Sequence, residues 1–247
     1  MSGSEPIRTF APPGSDSAEK LTVGILVSPG YAVCDIIGPQ TVLGVQPGAE
    51  VHLLWKDREP LLGLPTFPTV PTTSFADCPE QLDVFALGAM MPDVLADPEV
   101  VEFVGAAARR ARHVIAVCAG SLLVGAAGLL QGRRAATNFH LLEELRKVGA
   151  EPVAGGQVVR DGNIWSAGPL TGSLEAALLV LAELRGEPAA RQTELDIEYA
   201  PHPPFGVGSP ELAGPELTQE ALTRSAWLSE ATASALDTAL AGRATTV

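Results

Sequence analysis

Residues 114–130 read VIAVCAGSLLVGAAGLL. A run of β-branched and small apolar residues stops at Cys118, and a helix-forming run rich in Ala, Leu and Gly begins at once. A short apolar run ended this way is a buried strand, here His113–Val117, followed by a helix over Ala119–Leu130. The cysteine therefore sits on a sharp strand-to-helix turn. Ala119 and Gly120 are residues that such a turn tolerates, and the helix behind it points its N-terminus at the sulfur. Tight strand–turn–helix geometry that lifts a side chain above a sheet is the logic of a nucleophile elbow. A thiol so placed is expected to ionise easily. A buried structural cysteine at a strand end is the competing reading.

The pattern repeats outward from this junction. LTVGILVS (21–28) is a buried strand stopped by Pro29-Gly30, and residues 35–46 read as a helix starting from Asp35. Further strands are expected over 50–57 and 82–90. The Pro/Thr-rich stretch 60–76 suits extended or hairpin structure. Asp97-Pro98 is an N-cap followed by Pro at the first helical position, opening a helix to about Arg112. Asn138–Val148 reads as an amphipathic helix closed by Gly149. Residues 157–168 read as a hairpin around Asp161-Gly162. Helices are expected over Thr171–Arg185 and Pro188–Glu198, a loop over 201–213, and an Ala/Leu-rich helix over 215–242. Strands alternating with helices imply an α/β fold, a mostly parallel central sheet covered by helices on both faces.

Composition narrows the function. The chain has 247 residues, 46% hydrophobic, enough for one α/β domain with a tail to spare. Residues 1–20 are polar and Pro/Ser-rich with no apolar core, so they read as a flexible leader rather than a secretory signal. No uninterrupted apolar run is long enough to span a membrane. A formal charge of −13 argues against nucleic acid as a partner. Three irregularly spaced cysteines argue against a disulfide framework and for the cytoplasm, with Cys34 and Cys78 inert. Four histidines without metal-ligand spacing give no metal signal.

In such a sheet, ligands sit outside the carboxyl ends of the strands. Asp35, soon after the first strand, lies near that edge as a proton partner for Cys118; an acidic residue at a helix start is also an ordinary N-cap. The loop after Leu87 (Gly88, Ala89, Met90, Met91) lies at a third carboxyl end. Its backbone N–H groups, with that of Ala119, are candidates for an oxyanion-type hole. The C-terminal helix carries Leu217, Leu222, Leu228, Leu236 and Leu240, a face expected to dock on its own domain or on a second subunit.

These residues resemble the ThiJ/PfpI superfamily, with its class I glutamine amidotransferase-like (flavodoxin-like) fold and nucleophile elbow, and within it the isonitrile hydratase branch. The likeness runs from about Leu21 to Pro210. It is carried by DIIGPQTVLG (35–44), VHLLWKDREP (51–60), TTSFADCP (72–79), VCAGSLLVGAAGLLQGRRAAT (117–137), ELDIEYAPHPPF (194–205) and GSPE (208–211). It implies an α/β domain over 21–210, between the leader over 1–20 and a helical extension over 211–247. It implies Cys118 as nucleophile and Asp35 as its assistant, with Ala119, Gly120, Gly88, Ala89, Met90, Thr137 and Asn138 around the pocket. Three positions depart from the family pattern. Ala119 replaces the usual Thr after the cysteine; GAMM (88–91) replaces a Gly-Gly loop, with Met90 and Met91 enlarging the pocket rim; Asn138 replaces the pocket histidine, and His140 points elsewhere. The activity implied is hydration of an isonitrile or similar small electrophilic carbon through a Cys118 thioimidate. It needs no cofactor or metal, and the implied assembly is a cytoplasmic homodimer acting on a small molecule. The rival readings are a glyoxalase or deglycase acting on 2-oxoaldehydes, a secondary-metabolism enzyme with a larger substrate, and a non-catalytic ligand sensor. In DNA-binding relatives a sensor carries a helix-turn-helix pair, whereas residues 211–247 are Ala-rich and not basic.

Overall fold

The computed structural model describes residues 19–244, so the expected leader lies outside the described residues apart from Glu19 and Lys20. In chain order the elements begin with β1 (Leu21–Leu26), α1 (Val33–Leu43), β2 (Ala49–Trp55), β3 (Leu61–Gly63), β4 (Phe67–Thr69), β5 (Thr73–Ser74), β6 (Val84–Leu87), α2 (Pro92–Ala96), α3 (Pro98–Arg110) and β7 (His113–Val117). They continue with α4 (Gly120–Ala126), β8 (Arg134–Ala135), a 3₁₀ run (Phe139–Val148), β9 (Glu151–Pro152), β10 (Val159–Asp161), β11 (Ile164–Ala167), α5 (Thr171–Arg185), α6 (Glu187–Asp196) and α7 (Pro210–Ala244).

The main sheet runs β10-β11-β7-β6-β1-β2-β5 and is parallel throughout except for the β10–β11 hairpin. β1 pairs with β2 on one side and β6 on the other, so the strand order reverses there and opens a crevice at the carboxyl ends of β1, β6 and β7. All residues of β1, β6 and β11 are buried, as unbroken apolar strands must be when helices cover both faces. Burial of each large side chain among them stabilises the fold by about 1.5–3 kcal/mol. α3 starts where the sequence indicated: Asp97 Oδ1 accepts from the N–H of Glu99 (3.0 Å) and Val100 (3.4 Å), Pro98 follows, and Arg109 and Arg110 occupy the last turn.

Several elements differ from expectation. The third long strand contracts to β6. The helix after Cys118 ends at Ala126, and Gly128 turns the chain at φ 82°. The segment expected as an α-helix over 138–148 winds as 3₁₀, whose greater rise per residue lets ten residues reach further between Asn138 and the left-handed Gly149 (φ 74°). It still buries Leu141, Leu145 and Val148 along one face. α2 and the short β8–β9 pair had no sequence signal. The expected loop over 201–213 ends in a helical turn, and Gly214 (φ 76°, ψ 171°) breaks it from the long helix beyond. That helix packs on α2, α4 and the 3₁₀ run of its own chain. It buries Thr232, Ala235, Leu236 and Ala239, while Trp227 on another face is 66% exposed. Among the described residues no helix is long and apolar enough to cross a membrane.

Candidate active site

Cys118 has φ 55°, a left-handed conformation that costs a non-glycine residue on the order of 1–3 kcal/mol. Four contacts hold it there. Its N–H donates to Ala167 O on β11 (3.0 Å), and Thr137 Oγ1 donates to its carbonyl (2.6 Å). Its carbonyl also accepts from the Ser121 N–H (3.2 Å), and Asn138 Nδ2 donates to Sγ (3.0 Å). Ser121, fully buried, clamps the turn from below by donating to Ala116 O and Ala136 O. Gly120 is required by close approach, since a Cβ there would lie 2.7 Å from Leu87 O and 2.9 Å from Gly88 O.

Asp35 lies in the first turn of α1, whose N-cap is Ala32, and makes no capping bond to its own helix. The N-cap reading is therefore replaced by a different role. Oδ2 accepts from the Ala89 N–H (3.0 Å) and Oδ1 from the Leu170 N–H (3.0 Å), so two loops converge on one buried carboxylate. Leu170 reaches it from a strained backbone, φ 58° and ψ −95°. Gly88 makes room, because a Cβ there would collide with Asp35 Cβ. The Ala89 N–H is thus committed to Asp35, which removes it from the oxyanion-type hole expected of the 88–91 loop.

The thiol is not the easily ionised group that the helix N-terminus suggested. Burial, and after it the negative charge of Asp35, push Cys118 far above the ordinary thiol range; the Ala119 N–H and the Asn138 amide pull the other way and lose. Desolvation acts on the whole charge of a sulfur in a residue only 7% exposed, whereas α4 offers two turns of dipole. The resting group is a neutral thiol beside a fixed carboxylate. Burial and Asp35 also push Cys34 up, and its Sγ lies 3.6 Å from Asp35 Oδ1. Burial does the same to Cys78.

A cavity of about 310 Å³ opens above the sulfur. Cys118, Ala119, Asn138, Ala89, Met90 and Pro169 are among its lining residues. Phe139, His140 and Leu141 line it further out, so His140 faces the cavity, contrary to expectation, with Nδ1 tied to Ser229 Oγ at 2.9 Å. Met91 instead packs on Gly30, away from the rim. Thr137 supports the cysteine carbonyl from beneath. The remaining wall, Leu228 and Thr232, belongs to α7. Sequence reasoning missed both, because nothing in an Ala-rich helix some 110 positions downstream marks a side chain as facing Cys118. Among the described residues no three His, Cys, Asp or Glu side chains gather as metal ligands.

The DJ-1/PfpI family model matches residues 21–183. Isonitrile hydratase from Pseudomonas putida is 41% identical over 208 residues, covering 83% of this chain and 90% of that protein. A THiJ/PfpI family protein from Pseudomonas syringae superposes with a TM-score of 0.84 at 29% identity, over 94% of this chain and 97% of its own. Drosophila melanogaster DJ-1β gives a TM-score of 0.66 at 18% identity, a likeness of fold; all of it is covered by 74% of this chain.

Proposed function

The chain belongs to the DJ-1/PfpI family, and from that premise we propose that it is an isonitrile hydratase-like hydro-lyase with Cys118 as nucleophile and Asp35 as proton relay. The observation that carries this reading is the 41% identity to an isonitrile hydratase across 90% of that protein. The neutral thiol supports it. An isonitrile carbon must gain both a nucleophile and a proton, and a thiol held unionised beside Asp35 brings the two together.

In the first half, the S–C bond forms and the thiol proton passes through Asp35 to the isonitrile carbon, giving the thioimidate R–N=CH–S–Cys118. In the second half, water adds to that carbon and one of its protons goes to nitrogen, with Asp35 again as relay. The tetrahedral R–NH–CH(OH)–S–Cys118 then collapses. Its hydroxyl proton returns to sulfur as the S–C bond breaks, and R–NH–CHO leaves. Relays of this kind contribute about 10²–10⁴-fold. The Asn138 Nδ2–H, already on the sulfur, assists its departure.

The test is formamide release from a panel of isonitriles, beside 2-oxoaldehydes. Isonitrile turnover that disappears in Cys118→Ser, with the melting temperature kept, is the expected result. Turnover of 2-oxoaldehydes alone would replace this reading with the glyoxalase one. We also propose a cytoplasmic homodimer. The three free cysteines support the compartment. The exposed Leu62, Leu64, Phe67 and Val70 around the β3–β4 hairpin support an apolar contact, and light scattering at micromolar concentration tests it.

A further inference from the structure

We propose that α7, which lies wholly beyond the family match ending at residue 183, is the specificity wall of the active site, with Leu228 as the residue that limits the size of the substituent on the nitrogen next to the reacting carbon and Thr232 as its backing. The proposal deepens the hydratase reading, and its claim about access to Cys118 is tested separately from that reading.

Three observations carry it. The cavity beside the sulfur is lined by Leu228 and Thr232, one helical turn apart on the same face of α7. That face is docked firmly. Leu236 is fully buried one turn beyond Thr232, His140 holds Ser229, Lys147 Nζ lies 3.0 Å from Asp237 Oδ1, and the Arg243 guanidinium lies against Gly128. A wall held at these points along its length keeps its place when the cavity fills. Finally, the wall's own polar groups are already engaged, and a buried acceptor left without a partner, Asn138 Oδ1, belongs to the residue that bonds the sulfur and not to α7. The Thr232 hydroxyl donates to Leu228 O (2.7 Å), His140 Nδ1 to or from Ser229, and Asn138 Nδ2 to the sulfur. With those partners taken, the wall selects by shape rather than by hydrogen bonding, and it favours an uncharged hydrocarbon substituent.

Two readouts in the full-length protein test this. The first is the rate at which Cys118 is alkylated by iodoacetamide and by bulkier N-aryl iodoacetamides. The second is kcat/KM for isonitriles whose substituent grows from tert-butyl to naphthyl. Leu228→Ala should raise the bulky-to-small ratio about tenfold in both, the scale of a small change in a hydrophobic pocket. Leu228→Trp should lower it similarly, and Trp227→Ala, on the exposed face, should leave it unchanged. Alkylation ratios that shift without any isonitrile turnover keep the wall and reject the hydratase reading. Ratios that do not move in either Leu228 variant, or that move equally in Trp227→Ala, overturn the wall even where isonitriles are hydrated.

Discussion

The floor of the cavity, at the carboxyl ends of β1, β6 and β7, is fixed by backbone groups; its wall, on α7, is fixed by side chains meeting across distant parts of the chain. Around Cys118, its N–H and carbonyl are both bonded, Asp35 takes two backbone N–H groups, and a larger residue at Gly88 would strike Asp35 and one at Gly120 the Leu87 and Gly88 carbonyls. On the wall, the ties are the His140–Ser229 and Lys147–Asp237 pairs and a row of buried small and branched residues. The difference separates two jobs. A reacting pair has to be held to a fraction of an ångström, which rigid backbone bonding at strand ends can do. A wall that selects by size tolerates looser, replaceable packing, so it is the side on which related enzymes can diverge while the chemistry stays fixed.

The sharpest test of the floor is Asp35→Asn. Turnover should fall about 10²–10⁴-fold as the relay is lost. An amide has one acceptor oxygen where the carboxylate used two, so either the Ala89 or the Leu170 N–H then faces an NH₂ group. That mismatch should cost about 1–3 kcal/mol of stability in chemical unfolding. Unchanged stability would mean that Asp35 does not bridge the two loops. Gly88→Ala comes next, since the new Cβ strikes Asp35. Moving a positioned group by about 1 Å costs on the order of 10²-fold, so kcat should drop on that scale while substrates with small and bulky groups suffer alike. A loss confined to bulky substrates would make the floor a selector too and erase the contrast.

The pH dependence of Cys118 follows from its environment. The neutral thiol is favoured in the folded protein, so its alkylation should be slower than that of a free thiol near pH 7. It should keep rising with pH beyond the ordinary value of about 8.5, while the unfolded protein levels off there. Because the folded state holds this proton more tightly, stability should also begin to fall as pH passes the unfolded value. A plateau in labelling near neutral pH would restore the easily ionised thiol. The smallest effect belongs to the wall: Asp237→Ala removes the exposed partner of Lys147, which keeps its ion pair with Glu144, and should cost less than about 1 kcal/mol, with kcat/KM within twofold of the parent.

The sequence by itself determined the sheet and which residues share its carboxyl edge. Apolar runs ending at Pro29, Gly88 and Cys118 mark strands buried on both faces, and in a parallel sheet the residues after those runs share one edge. Cys118, Asp35 and the 88–91 loop are therefore adjacent by topology alone. The tertiary structure decided what local patterns do not encode. Thiol ionisation depends on how much water the fold removes and on which charge it brings near, so a helix N-terminus misled where burial and Asp35 prevailed. The role of Asp35 depended on N–H groups from residues 89 and 170, and the strained Leu170 follows an unremarkable Pro169. The wall was least legible of all. Leu228 and Thr232 look like any two positions of an amphipathic helix, and only the docking of α7 on α2, α4 and the 3₁₀ run turns that face toward the sulfur. Periodicity says that a helix will bury a face; which surface receives it is settled by packing between residues far apart in sequence.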